Sequence, residues 1–530
     1  MRTTSLHCAK GTFSSTVRPR PLPPICERNC IVPHESEALH LEEVEAAAIT
    51  ESLARGASRE RLLEILLEVR DVKGGLGISE QGLLRVAERL RLFPSEAYEV
   101  ATAFPAVNYM ASVPYALHAC GDLVCSLLHG EGSGHGVCRN RCDGARSAPN
   151  PRSFSAYRFA GGYQILDRLS RDLQEVPRLM ESIATYRAIG RAGVGFPVVE
   201  KWRQVMRRGA VPVVIVNGDE GELAVFKDRF ILENDPHGVI EAALVAARVT
   251  GADKIFFYIR DDYKPIHVIL RKAIADVVSA GLASGIAIEL RRSGGAYICG
   301  EETALIASLE GRPPRPAERP PFPTTRGYFG RPTLVHNVET FFRLRSVWGS
   351  APEPDLPVSD LLAAEVTLFS VSGRVRNPGP KPVRGLSRLI DLVDIAGGLT
   401  EGVELGGMVV GGSSGTLLPA ADCRRPLDEL LSGRLRLGTG GIVVFGTGDD
   451  MRGVASKMAG YLARESCGQC GPCRVGTAKA AQALNAPGRL DVPLINDLSV
   501  VMSEASICAL GRNAGRFLGR LPSLLETCDS

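Results

Sequence analysis

The stretch "VPVVIVNGDEGE", Val211 to Glu222, decides how the middle of the chain is read. A β-branched run from Val211 to Val216 leads without a break into a polar turn carrying Asn217, Asp219, Glu220 and Glu222. Short apolar runs of this kind suit strands buried on both faces, and functional groups gather where such strands end. Taken alone, the acidic turn reads more simply as a solvated loop. Downstream, "DKIFFYIRDDY" is a second buried strand, and "IAIELRRSGGAYICGEETALIASLEG" reads as strand, glycine-rich loop and a helix opening near Glu301. Glycines there let backbone approach a phosphate, while the helix N-terminus supplies unpaired N–H groups and positive potential. Upstream, "GRAGVGF", Gly190 to Phe196, is another glycine-rich loop with Lys201 close behind. Either loop by itself fits a plain turn. Together, in an α/β segment that precedes a cysteine motif, they point to a nucleotide or flavin pocket.

The cysteine motif is "ESCGQCGPCRVGT", Glu465 to Thr477, in which Cys467, Cys470 and Cys473 form C-x2-C-x2-C. Three thiolates on one tight loop can face three corners of a cubane cluster while a distant cysteine closes the fourth, and Cys508 in "ASICALG" is the natural closer. Zinc competes, but four-cysteine zinc sites pair two separate C-x2-C knuckles, so the three-plus-one pattern fits a 4Fe-4S cluster better. Ten further cysteines remain of the 14. Cys120 and Cys125 form C-x4-C, Cys138 and Cys142 form C-x3-C, and the other six fit no defensible spacing.

Composition bounds the rest. The 530 residues allow several domains, and 45% hydrophobic with 23% charged residues is ordinary for a globular chain. A net charge of +3, without basic runs interleaved with aromatics, does not indicate nucleic acid or an acidic membrane surface as partner. No apolar run reaches the roughly 18 residues of a membrane span, and the N-terminus lacks the apolar core of a secretory signal, so a soluble, cytoplasmic protein is expected. The first 26 residues hold no acid; this suits a disordered leader, with an organelle transit peptide as the alternative.

Four stretches, "VNGDEGELAVFKDRFILENDPH", "GGAYICGEETALIASLEG", "RPPFPTTRGYFGRPTLVHNVET" and "ESCGQCGPCRVGT…SICALG", resemble the signatures of the NADH- and FMN-binding subunit shared by respiratory complex I, NAD-reducing hydrogenases and NAD-dependent formate dehydrogenases. The resemblance covers roughly residues 157–511. It implies an oxidoreductase subunit in which NAD(H) and FMN exchange a hydride and FMN exchanges single electrons with a 4Fe-4S cluster, because a flavin is stable in both modes. It further implies FMN contacts at Gly190, Gly193, Gly195, Lys201, Asn217, Asp219, Glu220, Tyr297, Gly300, Glu301 and Asn337. Nicotinamide nucleotide contacts fall on Phe196, Lys201, Glu222, Glu302 and Phe322, and cluster ligands on Cys467, Cys470, Cys473 and Cys508. Of these, Lys201, Glu222 and Glu302 are the expected catalytic side chains, acting through hydrogen bonds and field.

Some residues depart from the family pattern. The flavin loop reads "GRAGVGFPVV" where the family has G-R-G-G-A-G-F-P-T-G, the acidic turn has Leu223-Ala224 in place of Pro-Gly, and paired asparagines become His336-Asn337. Added side chains where backbone meets ligand weaken affinity.

In the N-terminal third, "ASRERLLEILLEVRD", "SEQGLLRVAERLRL" and "SEAYEVATAF" read as three amphipathic helices, with Leu83, Val86, Ala87 and Leu90 on one face and Ser79 and Ser95 as N-caps. They resemble the helical start of the thioredoxin-like 2Fe-2S subunit of the same complexes. That subunit separates its two cysteine pairs by some tens of residues, whereas 12 lie between Cys125 and Cys138 here, too few for the missing strand and helix. A vestigial domain is expected, with a 2Fe-2S cluster on Cys120, Cys125, Cys138 and Cys142, or adventitious zinc, as alternatives. Further on, "EVTLFSVSGRVRNPGPKPV" alternates like an edge hairpin with a Pro-Gly-Pro turn.

The fold expected is therefore α/β and multidomain. It comprises a flexible leader (1–36), a helical region with a truncated thioredoxin-like remnant (37–150), a Rossmann-like FMN/NADH domain (151–355), a β-grasp domain (356–446) and a helical bundle carrying the 4Fe-4S cluster (447–530). The implied partners are a subunit holding the primary donor or acceptor site, such as a molybdenum or tungsten formate dehydrogenase alpha subunit, and a separate 2Fe-2S subunit. The fused N-terminal region and "SVSGRVRNPGPK" look most like the formate dehydrogenase branch. A degenerate paralogue without flavin turnover is the rival reading.

Overall fold

The computed structural model describes residues 35–109, 149–172, 174–185, 196–207, 209–348, 366–412, 415–433 and 435–526. The paired cysteines of the expected vestigial domain (Cys120, Cys125, Cys138 and Cys142), the flavin-loop glycines (Gly190, Gly193 and Gly195) and nearly all of the leader lie outside the described residues.

A four-stranded parallel sheet organises the centre: β1 (Val213–Gly218), β2 (Lys254–Arg260), β3 (Ala287–Ser293) and β4 (Thr333–Asn337), in the order β3-β2-β1-β4. All six residues of β1 are buried, which is why the run is apolar throughout rather than alternating. On one face Val214, Val216, Ile255, Phe257 and Leu334 pack on helices Pro236–Thr250 and Lys264–Ser279. On the other, Val213, Ile215, Phe256, Tyr258 and Val335 share a cluster with helix Glu302–Leu309 and with the N-terminal helices.

Those N-terminal helices are α1 (Glu35–Ala54), α2 (Leu62–Val72), α3 (Glu80–Leu90) and α4 (Pro94–Ala103). Leu83, Val86, Ala87 and Leu90 all face the core, and Ser79 caps α3 by accepting from Gly82 N at 3.0 Å. Ser95 does not cap α4: Pro94 takes the first helical position, where its fixed φ is favourable, and Ser95 falls inside the helix. α1 precedes the three helices anticipated. Charge as well as packing ties α2 to the sheet. Arg70 and Asp261 form an ion pair at 2.8 Å with both side chains buried, Asp71 pairs with Arg292 at 2.7 Å, and Glu64 pairs with Arg291. Burial opposes the Asp261 charge, but Arg292 and Arg70 hold its carboxyl well below the carboxylate range.

A second sheet contains β5 (Val366–Gly373), β6 (Gly379–Arg384), β7 (Leu405–Val410), β8 (Thr416–Pro419) and β9 (Gly441–Gly446), in the order β6-β5-β9-β7-β8. β5 and β6 form the anticipated edge hairpin, but the Pro-Gly-Pro stretch does not make the whole turn. Gly379, Pro380 and Pro382 lie within β6, an edge position where prolines are tolerated. The chain closes with helices Met451–Arg464, Gly471–Asn485, Val492–Ala505, Ala509–Leu518 and Leu521–Glu526. Among the described residues no helix is long and apolar enough to cross a membrane.

Candidate active site and metal centre

In the order β3-β2-β1-β4 the chain moves from β1 outward to β2 and β3, then returns to the far side of β1. Ligands of open parallel sheets settle at such reversals, outside the carboxyl ends of the strands. Here β1 and β4 end side by side, with Asn217 paired in register with Asn337. Asn217 Nδ2 donates to the Gly300 carbonyl at 3.0 Å, and its Oδ1 accepts from Asp219 N at 3.1 Å. Asn337 Nδ2 donates to Asp228 Oδ2 at 2.5 Å and to the Asn217 carbonyl at 3.3 Å, while its Oδ1 accepts from Lys227 Nζ at 2.8 Å and Glu339 N at 3.0 Å. Both amide hydrogens and both oxygen lone pairs of Asn337 are thereby used.

The acids of the turn are deeply buried. Glu220 accepts from Asp228 N at 2.9 Å and from the Tyr263 hydroxyl at 3.1 Å; burial, with Asp228 nearby, pushes its carboxyl up to about 7. Asp219 is also pushed up to about 7 by burial, Arg260 opposing. Ser293 is near enough to lower it slightly, yet neither Asp219 oxygen makes a hydrogen bond of good geometry. Burial works against the charge of Lys227, but Asp228, Glu339 and Glu220 around it keep the ammonium above its ordinary range.

Lys201, on helix Val198–Met206, pairs with Glu302 and donates to the Val335 carbonyl at 2.7 Å. Glu301 caps helix Glu302–Leu309: its Oε2 accepts from Thr303 N and Ala304 N, each at 2.9 Å, and its other oxygen meets Arg319. Phe196 and Phe322 are about half exposed. The Tyr297 hydroxyl donates to Glu222 Oε1 at 2.8 Å, and a Cβ added at Gly412, in the second sheet's β7–β8 connection, would come within 2.9 Å of Glu222 Oε2. Ala224 holds φ at +58°, a conformation that costs a side chain about 1–2 kcal/mol and that the family's glycine would adopt freely.

The four cysteines meet below this edge. Cys467, Cys470, Cys473 and Cys508 line one pocket with Ile298, Pro316, Ser466 and Leu510. Cys470 is the N-cap of helix Gly471–Asn485 and Cys508 the N-cap of helix Ala509–Leu518, so two helix starts turn their positive ends toward the sulfurs. Gly468 turns the loop at φ +75°, and Gly511 lets the second helix approach, since a Cβ there would lie 2.9 Å from Cys473 Cβ. Burial pushes the Cys473 thiol up to about 12 and raises those of Cys467 and Cys508.

Both regions match known proteins. Residues 183–346 match the Nuo51 FMN-binding domain, and residues 453–522 match the NADH-ubiquinone oxidoreductase-F iron-sulfur binding region. An NADH-quinone oxidoreductase subunit of Aquifex aeolicus (strain VF5) is 34% identical over 384 residues, covering 70% of this chain and 89% of its own length. The chain belongs to the NADH-ubiquinone oxidoreductase-F family. NADP-reducing hydrogenase subunit HndC of Solidesulfovibrio fructosivorans is 32% identical over 381 residues, covering 68% of this chain and 77% of that one. A solved NAD+-reducing [NiFe]-hydrogenase chain superposes with a TM-score of 0.70 at 26% identity, covering 89% of this chain and 92% of that chain. As a member of this family, the chain is an oxidoreductase subunit of the NADH-binding, FMN and 4Fe-4S electron-transfer type.

The residues present fit both groups. Four cysteines line one pocket, and burial raises the thiols of Cys467, Cys473 and Cys508, so a metal charge is needed to hold these as thiolates; the helix starts favour the resulting anion. At the sheet edge, the unpartnered buried carboxylate of Asp219 leaves hydrogen-bonding capacity for a polar ligand. Lys201, Asn217, Asp219, Glu220, Glu222, Tyr297, Gly300, Glu301, Glu302 and Asn337 all belong to this edge or to the elements that bound it.

Sequence reasoning missed Lys227 and Asp228, which hold Asn337, and treated His336 only as a departure. His336 Nε2 accepts from Trp202 Nε1 at 3.0 Å, and burial together with Lys201 keeps the imidazole neutral. The signal available was a Lys-Asp pair inside "VFKDRF", where adjacent opposite charges interrupt an otherwise apolar stretch.

Proposed function

We propose that NAD(H) meets this subunit at the Lys201–Glu302 pair, beside Phe196, Phe322 and Glu222, and that FMN lies along the carboxyl edge of β1 and β4. FMN supplies the conversion between a two-electron hydride and single electrons. Contacts to it are assigned to Gly190, Gly193, Gly195, Lys201, Asn217, Asp219, Glu220, Tyr297, Gly300, Glu301 and Asn337. Within that set the roles divide. The amide of Asn337 and the carboxylate of Glu301 are already engaged by the protein, which favours shaping the edge as their part. Asp219 is the polar group left to receive a ligand hydrogen bond. Lys201 orients Glu302 and offers positive charge, and the half-exposed rings of Phe196 and Phe322 offer stacking surface.

The observation that carries this reading is one short turn. The 3-10 turn Tyr297–Gly300 hydrogen-bonds Glu222 through Tyr297 and Asn217 through Gly300, while its Ile298 lines the cysteine pocket. An acidic edge and a cysteine pocket thus flank one four-residue turn.

The chain's partner is assigned as a subunit carrying the primary donor or acceptor site, with a separate 2Fe-2S subunit as a further one; the relatives named above are themselves subunits of larger enzymes. The narrower assignment, the diaphorase subunit of a cytoplasmic NAD-dependent formate dehydrogenase, rests on the sequence resemblance. The N-terminal cysteines are assigned to a vestigial site. A visible spectrum of the purified chain tests the central reading. Flavin bands bleached by NADH under anaerobic conditions are expected; a protein that keeps its iron-sulfur absorbance but shows no flavin is the degenerate paralogue instead.

A further inference from the structure

Glu465 stands two residues before Cys467 and is assigned to neither site. Its Oε2 accepts the Tyr297 backbone N–H at 2.8 Å, a contact across 168 residues of sequence. Tyr297 is the residue whose hydroxyl reaches Glu222, and its neighbour Ile298 lines the cysteine pocket. Four residues before Glu465, the Tyr461 hydroxyl donates to the Gly221 carbonyl at 2.5 Å, and its ring meets Tyr297 edge to face with centroids 6.4 Å apart. The end of helix Met451–Arg464 therefore grips the acidic turn and the 3-10 turn together, while the residues that follow it become the cysteine loop.

We propose that Glu465 is a positioning residue for electron transfer: by holding Tyr297 N–H it fixes the cysteine loop against the turn that bounds the acidic edge. The residue makes and breaks no bond and carries no electron. It sets a separation, and the rate of electron transfer falls as that separation grows. A glutamate suits the task because a carboxylate makes a strong charge-assisted bond to a backbone N–H, and because Glu465 follows directly on the helix that Tyr461 anchors. The inference rests on assigning the pocket to the 4Fe-4S cluster and the edge to FMN.

The test uses the purified chain with its flavin and iron, as wild type, Glu465→Ala and Glu465→Gln. Three quantities are read: hydrogen exchange of the peptide covering residues 294–301, NADH-driven reduction of a dye that draws electrons from the flavin, and NADH-driven appearance of the reduced-cluster EPR signal after rapid freezing. Glu465→Ala should speed exchange at Tyr297 at least tenfold and slow the EPR signal at least tenfold, with dye reduction within twofold of wild type. Glu465→Gln should restore both, since its amide oxygen still accepts the N–H. Unchanged exchange in the Ala variant, equal losses of dye and cluster reduction, or a Gln variant that behaves like Ala would overturn the proposal. If the Ala variant does not fold, Tyr461→Phe carries the test: loss of one hydroxyl should loosen the same peptide and slow the EPR signal two- to fivefold, and wild-type behaviour in both measurements would overturn it. A wild-type chain with no cluster signal at all would instead overturn the assignment of the pocket.

Discussion

The cysteine pocket and the acidic edge share a boundary but differ in how they are assembled. The pocket takes its ligands from one tight loop and two helix starts, Cys470 and Cys508 being helix N-caps. The edge takes its groups from the ends of β1 and β4, two glycine-flanked turns and three helices, and most of its side chains are already bonded to one another. The pocket is thus a site of few members with no substitutes, in which each thiol is indispensable. The edge is a network that spreads a loss over several partners. Removing single groups should give an abrupt response in the first and graded responses in the second.

The largest effect should come from the pocket. Cys508→Ala should remove the 4Fe-4S signal entirely and take iron from about four atoms per chain toward zero. A variant that keeps a normal cluster spectrum would show that Cys508 is not the fourth ligand and that the pocket, too, is redundant.

Next comes the unpartnered acid of the edge. An unfolded aspartate titrates near 4, whereas burial carries Asp219 to about 7, so the folded chain holds that proton more tightly than the unfolded one. Its stabilising contribution is complete below about pH 4 and is lost as pH rises through about 7. Asp219→Asn should therefore stabilise the flavin-free protein by up to about 4 kcal/mol at pH 8, with the gain shrinking steadily toward pH 4. Urea unfolding across that range measures it; a pH-independent difference would mean that the carboxylate is compensated in the folded chain.

Lys201→Ala should be milder. It strips Glu302 and the Val335 carbonyl of a charged donor, a loss of about 1.5–3 kcal/mol, and should lower NADH-driven dye reduction by roughly 10- to 100-fold and weaken flavin retention. A fall in dye reduction with flavin retention untouched would confine Lys201 to the nucleotide side of the edge.

Smallest is Ala224→Gly. Relief of the left-handed backbone outweighs the entropy and the one methyl that glycine gives up, so a gain of up to about 1 kcal/mol is expected in thermal or urea unfolding. Loss of stability would show that the Ala224 methyl, buried against the second sheet, matters more than its φ.

Much of both sites was legible beforehand, for local reasons. The C-x2-C-x2-C loop and the lone Cys508 announced the pocket because thiol chemistry at fixed spacing has few other uses. β1 and β2 were legible because strands covered on both faces must be apolar along their length, and Glu301 because a helix start needs an acceptor for its free N–H groups. Ser95 misled because proline at the adjacent position moved the helix start back by two residues, with Phe93 as the N-cap.

By itself, then, the sequence determined the kinds of element and the kinds of ligand: apolar runs that must be buried strands, a capped helix at Glu302, and four cysteines able to surround one cluster. The tertiary structure alone decided what stands beside what. The order β3-β2-β1-β4 brings Asn337 next to Asn217 across 120 residues, Lys227 and Asp228 close around them, and Glu465 reaches back to Tyr297. No local period encodes those meetings, because strand order and the fate of a buried charge are settled by which surfaces can be covered together, a property of the packed chain and not of any segment of it.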